Sequence, residues 1–100
     1  MVAYWLARAQ ILDPDEYKNY TDRVPAILKK YKGKPLVRGG RQQQLEGPAD
    51  FERHALVMFP TMEDAVSCFN SPEYREAAAF RRDGAGINEL VIVEGDEPDG

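Results

Sequence analysis

"ERHALVMFPTMEDAVSCFNSPEYREAAAF", residues 52–80, decides the fold. Its first part, Glu52 to Phe59, reads as a strand with a continuously apolar centre. Pro60 and Thr61 turn the chain into a helix, and Thr61 with Asp64 forms a T-x-x-D capping pair. Met62, Ala65, Val66 and Phe69 give that helix its apolar face. "NSPEY", residues 70–74, interrupts it, because Ser71 before Pro72 is a cap followed by a first-position proline. The helix therefore breaks and restarts at Ser71, runs through Tyr74, Ala77, Ala78 and Phe80, and closes at Arg81, Arg82 and Gly84.

Working outward, Val2 to Ile11 is a strand with Val2, Tyr4, Leu6 and Arg8 on one face and Ala3, Trp5, Ala7 and Ala9 on the other. Asp13, Pro14 and Glu16 supply a cap, a first-position proline and an acid three residues after the cap, so a helix starts here. Tyr17, Tyr20, Val24, Ile27, Leu28 and Tyr31 keep a helical period. Pro25 lies inside that period and predicts a kink or break near Val24. Lys29, Lys30 and Lys32 suit the helix C-terminus, and Gly33 is its expected cap.

Pro35 to Leu45 is expected as the second strand, with a polar edge in "RQQQL" and a bulge at Gly39 and Gly40. Ile87 to Glu94 is the last strand. The predicted domain covers residues 1–95, and residues 96–100 form an acidic tail expected to be mobile. The order β-α-β-β-α-β predicts a ferredoxin-like α+β fold: a four-stranded antiparallel sheet with two helices on one face.

"ALVMF" (55–59) and "LVIV" (90–93) are apolar on both phases, so the face away from the helices is apolar as well. Such a face exposed on a monomer is unfavourable, and a homodimer with sheets face to face is the expected remedy.

Composition limits the partners. The chain has 100 residues, 43% hydrophobic and 30% charged, with net charge −4 and a pI near 5.0. One domain follows from the length. The acidic balance argues against nucleic acid and against an anionic membrane surface. No apolar run reaches the roughly 18 residues of a membrane span, and residues 1–20 lack the basic segment and long apolar core expected of a signal peptide. Cys68 is the only cysteine and His54 the only histidine, so neither a Cys-based zinc site nor a paired-His motif is available. A cytoplasmic protein without metal or cofactor is the expectation.

Several residues are candidates for chemistry. Arg38 follows an apolar run and precedes two glycines, so its fork of donors can meet a carboxylate or phosphate, or else pair with Glu46 or a helix acid. Asn70, Ser71 and Tyr74 offer polar groups at a helix restart, against the plainer reading that Ser71 only caps and Tyr74 only packs. His54 is a candidate general base without an evident nucleophile, and Arg53 beside it reads as a surface or interface charge. Tyr4, Trp5, Tyr17 and Tyr20 can line an aromatic pocket or fill the core. Arg75, Arg81 and Arg82 complement a helix end, with Arg81 phased towards the core. Cys68 reads as an inert buried thiol.

"DPDEYKNY" (13–20), "VPAILKKYKGKPLVRGGRQQQLEG" (24–47), "FP" (59–60), "NSPEYREA" (70–77) and "LVIVEG" (90–95) together resemble the family called domain of unknown function 1330. The resemblance runs from Tyr4 to Gly95. It implies a dimeric α+β barrel, a superfamily that includes small monooxygenases and isomerases with pockets between sheet and helices. The sequence departs from the family pattern at Met58, where an acid is common, and at Cys68 and Phe69, where a Trp-Tyr pair is common. Three functions stay open: a homodimer binding a small anionic or aromatic acid around Arg38, Ser71, Tyr74, Arg81, Asn70 and Tyr17; a cofactor-independent enzyme using His54 or a tyrosine; and an interaction module.

Overall fold

The computed structural model describes residues 1–96. The elements are β1 (Val2–Ile11), α1 (Pro14–Thr21), α2 (Val24–Lys30), β2 (Lys34–Arg38), β3 (Arg53–Phe59), α3 (Met62–Phe69), α4 (Pro72–Phe80), a π-helical turn (Arg81–Ala85) and β4 (Gly86–Gly95). The sheet order is β2-β3-β1-β4, antiparallel throughout. This is the ferredoxin-like α+β arrangement. The acidic tail expected at residues 96–100 lies outside the described residues but for Asp96.

Three of the four α-helices start where the sequence places a cap, and α2 follows Arg23 without one. Asp13, Thr61 and Ser71 accept hydrogen bonds from the backbone N–H of Glu16, Asp64 and Tyr74 at 3.2, 3.1 and 3.1 Å. Both expected helices are split in two. Pro25 falls in the first turn of α2 and Pro72 in the first turn of α4, where a missing N–H costs nothing.

Strand register sorts the side chains. Across one face run the rows Phe59–Ala3–Glu94, Val57–Trp5–Ile92, Ala55–Ala7–Leu90 and Arg53–Ala9–Asn88. The helices cover this face, and Leu28, Ala65, Cys68, Tyr74 and Ala78 close the core over Trp5, Val57 and Phe59. Trp5 stacks on Phe59 at 5.7 Å between centroids and meets Tyr74 edge-on at 5.1 Å. The opposite face carries Met58–Tyr4–Val93, Leu56–Leu6–Val91 and His54–Arg8–Glu89. Leu6, Val91 and Val93 are 42%, 53% and 46% exposed on it, so this apolar face is uncovered in a single chain.

Two expectations need correction. β2 stops at Arg38 rather than Leu45, and "RQQQL" is not a strand. Gly39 and Gly40 take φ of +77° and +92°, which turns the chain out of the ladder just after Gly39 N–H reaches the His54 carbonyl at 2.7 Å. The irregular register falls earlier, between Pro35 and Val37.

The second correction concerns the end of α2. Lys32, not Gly33, takes the left-handed conformation, with φ +69°. Lys32 N–H donates to the Lys29 carbonyl and Gly33 N–H to the Leu28 carbonyl, the pair of bonds that defines a Schellman cap. Gly33 is needed for a different reason: a Cβ there would lie 2.8 Å from the Phe59 ring.

Candidate functional site

The helix-covered face of the sheet changes from large to small side chains along β1 and β3. Trp5 and Val57 fill the space under α3 and α4, but the next two rows present Ala7, Ala9 and Ala55. Ala9 packs on Tyr17 of α1, but the short side chains of Ala7 and Ala55 leave a gap, so a chamber of about 100 Å³ remains between this floor and α1 and α2. That is comparable with the ~150 Å³ apolar cavity that takes up benzene. Tyr17, Tyr20, Val24 and Leu28 form the helical wall, and Arg38, Arg53 and Arg81 also line the space.

These three arginines give the chamber its character. Two ion pairs occur among the described residues, Arg8–Glu89 at 2.6 Å and Lys30–Glu73 at 2.5 Å, and neither involves them. Among the described residues, Glu89 is the one carboxylate lining the chamber, and it is taken by Arg8, which lines it too. The expected pairing of Arg38 with Glu46 does not form, and Arg38 stands exposed at the rim, opposite Ala55. Arg53, which read as a surface charge, is half-buried on the chamber side, with its guanidinium beside Gly39.

Arg81 is 6% exposed and meets no carboxylate among the described residues. Its Nη2 donates to the Tyr74 hydroxyl oxygen at 3.2 Å. Its guanidinium carbon lies 5.1 Å from the Tyr20 ring centroid and 5.9 Å from that of Tyr74. The Tyr74 and Tyr20 hydroxyl oxygens are 2.7 Å apart, and the Tyr17 hydroxyl donates to Asn88 Oδ1 at 2.8 Å.

Burial keeps the phenols neutral. It pushes Tyr17 up to about 12, with Tyr20 adding to the shift and Arg53 and Arg81 opposing it. Burial raises Tyr74 further, again against the pull of Arg81. With the phenols neutral and Glu89 paired, the lining has a net positive charge. A desolvated cation is costly unless an anion meets it. The arrangement is thus an apolar slot with unpaired positive charge at its walls, suited to a small ring bearing an anionic oxygen.

The structure brings together Arg38, Arg81, Tyr17 and Tyr74 of the expected site. Asn70 is an exposed cap residue outside the chamber. Ser71 is buried, with its hydroxyl donating to the Cys68 carbonyl at 2.7 Å and accepting from Tyr74 N–H at 3.1 Å. His54 is on the opposite face of the sheet from the chamber, bonded to Gln42. Tyr4 is on that opposite face too, whereas Trp5 and Tyr20 line the chamber. Burial pushes the Cys68 thiol up to about 12, so it stays protonated and unreactive at neutral pH.

Sequence reasoning overlooked the alanine floor and Arg53. The signal was present: Ala7 and Ala9 share one phase of β1, and Arg53 and Ala55 share one phase of β3. Among the described residues, no three His, Cys, Asp or Glu side chains gather as a metal site, and no helix is long and apolar enough to cross a membrane.

Comparison with known proteins agrees with this architecture. Residues 2–96 match the family model described as Domain of unknown function (DUF1330), and the chain belongs to that family. No curated protein matches it in sequence. Among solved structures, a protein of unknown function from Rhodopseudomonas palustris is 19% identical at TM-score 0.77, covering 97% of this chain and 84% of that one. SnoaB, a cofactor-independent oxygenase from Streptomyces nogalater, is 11% identical at TM-score 0.62, over 97% of this chain and 95% of its own. A dimeric ferredoxin-like protein of unknown function from Bacteroides fragilis is 11% identical at TM-score 0.65, over 94% and 96%. At these identities the likeness is one of fold.

Proposed function

For a DUF1330 member with this chamber, we propose cofactor-independent chemistry on a small aromatic or acidic molecule held between sheet and helices. The observation that carries the reading is the set of three arginines without carboxylate partners among the described residues, one of them buried, around an alanine-floored apolar slot. Likeness of fold to a cofactor-independent oxygenase supports it. In such chemistry the substrate, once deprotonated, is itself the reductant and dioxygen the oxidant. The chain's part is to bind the ring, exclude water and stabilise the anion with fixed donors. Arg81 and the tyrosines beside it can do this, and Arg38 and Arg53 at the rim can steer and anchor an acid.

The test is oxygen uptake with a panel of electron-rich phenols and hydroquinones, without added metal or flavin. Turnover above the buffer rate that disappears in Arg81→Met supports an enzyme. Thermal stabilisation by panel members without oxygen uptake reduces the reading to a binding protein. Neither response removes the chamber as the functional site.

The same reading includes a homodimer joined through the open sheet face. Its support is the exposed apolar row Leu6, Val91 and Val93, together with the dimeric description of one fold relative. Light scattering should give twice the chain mass for the wild type and a monomer for Leu6→Glu. A wild-type monomer at micromolar concentration would refute the dimer.

A further inference from the structure

We propose that Arg81, Tyr74 and Tyr20 form a directed hydrogen-bond relay that makes the Tyr20 hydroxyl the donor for an anionic ring oxygen in the chamber. The inference rests on the chamber being the ligand site.

The direction follows from counting protons. A guanidinium donates and cannot accept, so the 3.2 Å bond from Arg81 uses an acceptor position on the Tyr74 oxygen. Tyr74 is fully buried, and the only other polar partner of its hydroxyl among the described residues is the Tyr20 hydroxyl at 2.7 Å. That contact fits either donor. Were Tyr20 to donate, the Tyr74 proton would have no acceptor in a buried site, which costs as much as a lost hydrogen bond. With Tyr74 donating, its hydroxyl is satisfied on both sides: it accepts from Arg81 and donates to Tyr20. The Tyr20 proton then has no protein acceptor among the described residues, and Tyr20 lines the chamber.

Two effects make this proton a strong donor. A positive charge at the far end polarises both hydroxyls in the same sense, and aligned hydrogen bonds strengthen one another in a low-dielectric interior. Among the described residues, no carboxylate stands beside Arg81 to spend that polarisation elsewhere. The ligand class is therefore a phenolate, an enolate or a ring carboxylate whose oxygen meets Tyr20 while its ring lies over the alanine floor. Tyr20 touches the ligand; Tyr74 and Arg81 act through it as positioning residues.

The test uses 4-nitrophenol, whose visible absorbance separates phenolate from phenol. The wild type should bind it and hold it as the phenolate. Tyr20→Phe, Tyr74→Phe and Arg81→Gln should each weaken binding on the order of tenfold, the scale of one hydrogen bond to a charged group. Each should also lower the phenolate fraction of saturated protein, which a merely structural role does not move. Tyr31→Phe, outside the chamber, should bind as the wild type does. If Tyr74→Phe does not fold, Tyr20→Phe and Arg81→Gln carry the test. Binding that is equal in wild type, Tyr20→Phe and Arg81→Gln overturns the relay and leaves the chamber reading intact. Failure of 4-nitrophenol to enter the wild type overturns the chamber reading and the relay with it.

Discussion

Arg81 Nη2 stands 3.2 Å from the hydroxyl oxygen of Tyr74, at a buried point that no carboxylate among the described residues reaches. A cation placed there is a stability cost retained for another purpose. Folding alone is better served by an apolar side chain of similar length. Arg81→Met should therefore fold with an unchanged or higher melting temperature, yet bind 4-nitrophenol at least tenfold more weakly. Calorimetry for stability and absorbance titration for binding check the two halves. A large loss of stability with binding intact would make Arg81 a structural residue.

The chamber exists because the floor is alanine, so filling the floor should close it. Ala55→Leu adds three carbons to the side chain, each buried methylene contributing ~0.8 kcal/mol where space allows. Urea unfolding should show unchanged or slightly increased stability, while 4-nitrophenol binding is lost. Undiminished binding in a folded Ala55→Leu protein would place the site elsewhere.

The end of α2 separates two uses of glycine. Gly33→Ala puts a methyl 2.8 Å from the Phe59 ring and should destabilise by ~1–3 kcal/mol through overpacking. Lys32→Gly relieves a non-glycine residue at φ +69° and should stabilise by about 1 kcal/mol. Urea midpoints of the two variants should move in opposite directions from the wild type.

Alkaline pH should unfold the protein through its phenols. Tyr17 rises from 10.0 to about 12 on folding because burial disfavours the phenolate, and Tyr74 shifts in the same direction. The unfolded chain therefore releases these protons first as pH rises. The stabilisation is fully present below pH 10 and is lost progressively as pH climbs towards the folded values. Urea midpoints should be flat with respect to these groups from pH 7 to 9 and fall above 10. Tyr17→Phe should make that fall shallower; an unchanged slope would mean Tyr17 ionises alike in both states.

Local signals carried most of the fold. The three caps at Asp13, Thr61 and Ser71 depend on side chains bonding three residues ahead, so their geometry was readable from spacing. The split at Pro25 and the restart at Pro72 were readable for the same reason. The length of β2 was not. A strand persists only where a partner supplies its hydrogen bonds, and whether "RQQQL" finds one is a property of the sheet, not of the segment.

The site divided along the same line. Arg38, Arg81, Tyr17 and Tyr74 could be named because their chemistry or helical phase pointed inwards. His54 and Arg53 are sequence neighbours, yet strand alternation sends Arg53 to the chamber and His54 to the opposite face. Which face is which depends on where the helices dock, and the sequence of β3, apolar on both phases, does not mark it.

By itself, then, the sequence determined the elements, their order and the apolar character of both sheet faces, because these follow from side-chain periodicity and capping within a few residues. Tertiary structure decided that three alanines from two strands leave a void, and that three arginines from β2, β3 and the π-helical turn line it without an acid to pair with among the described residues. Voids and unpaired charges are relations between distant segments. They exist only once packing has fixed which side chains meet and which do not.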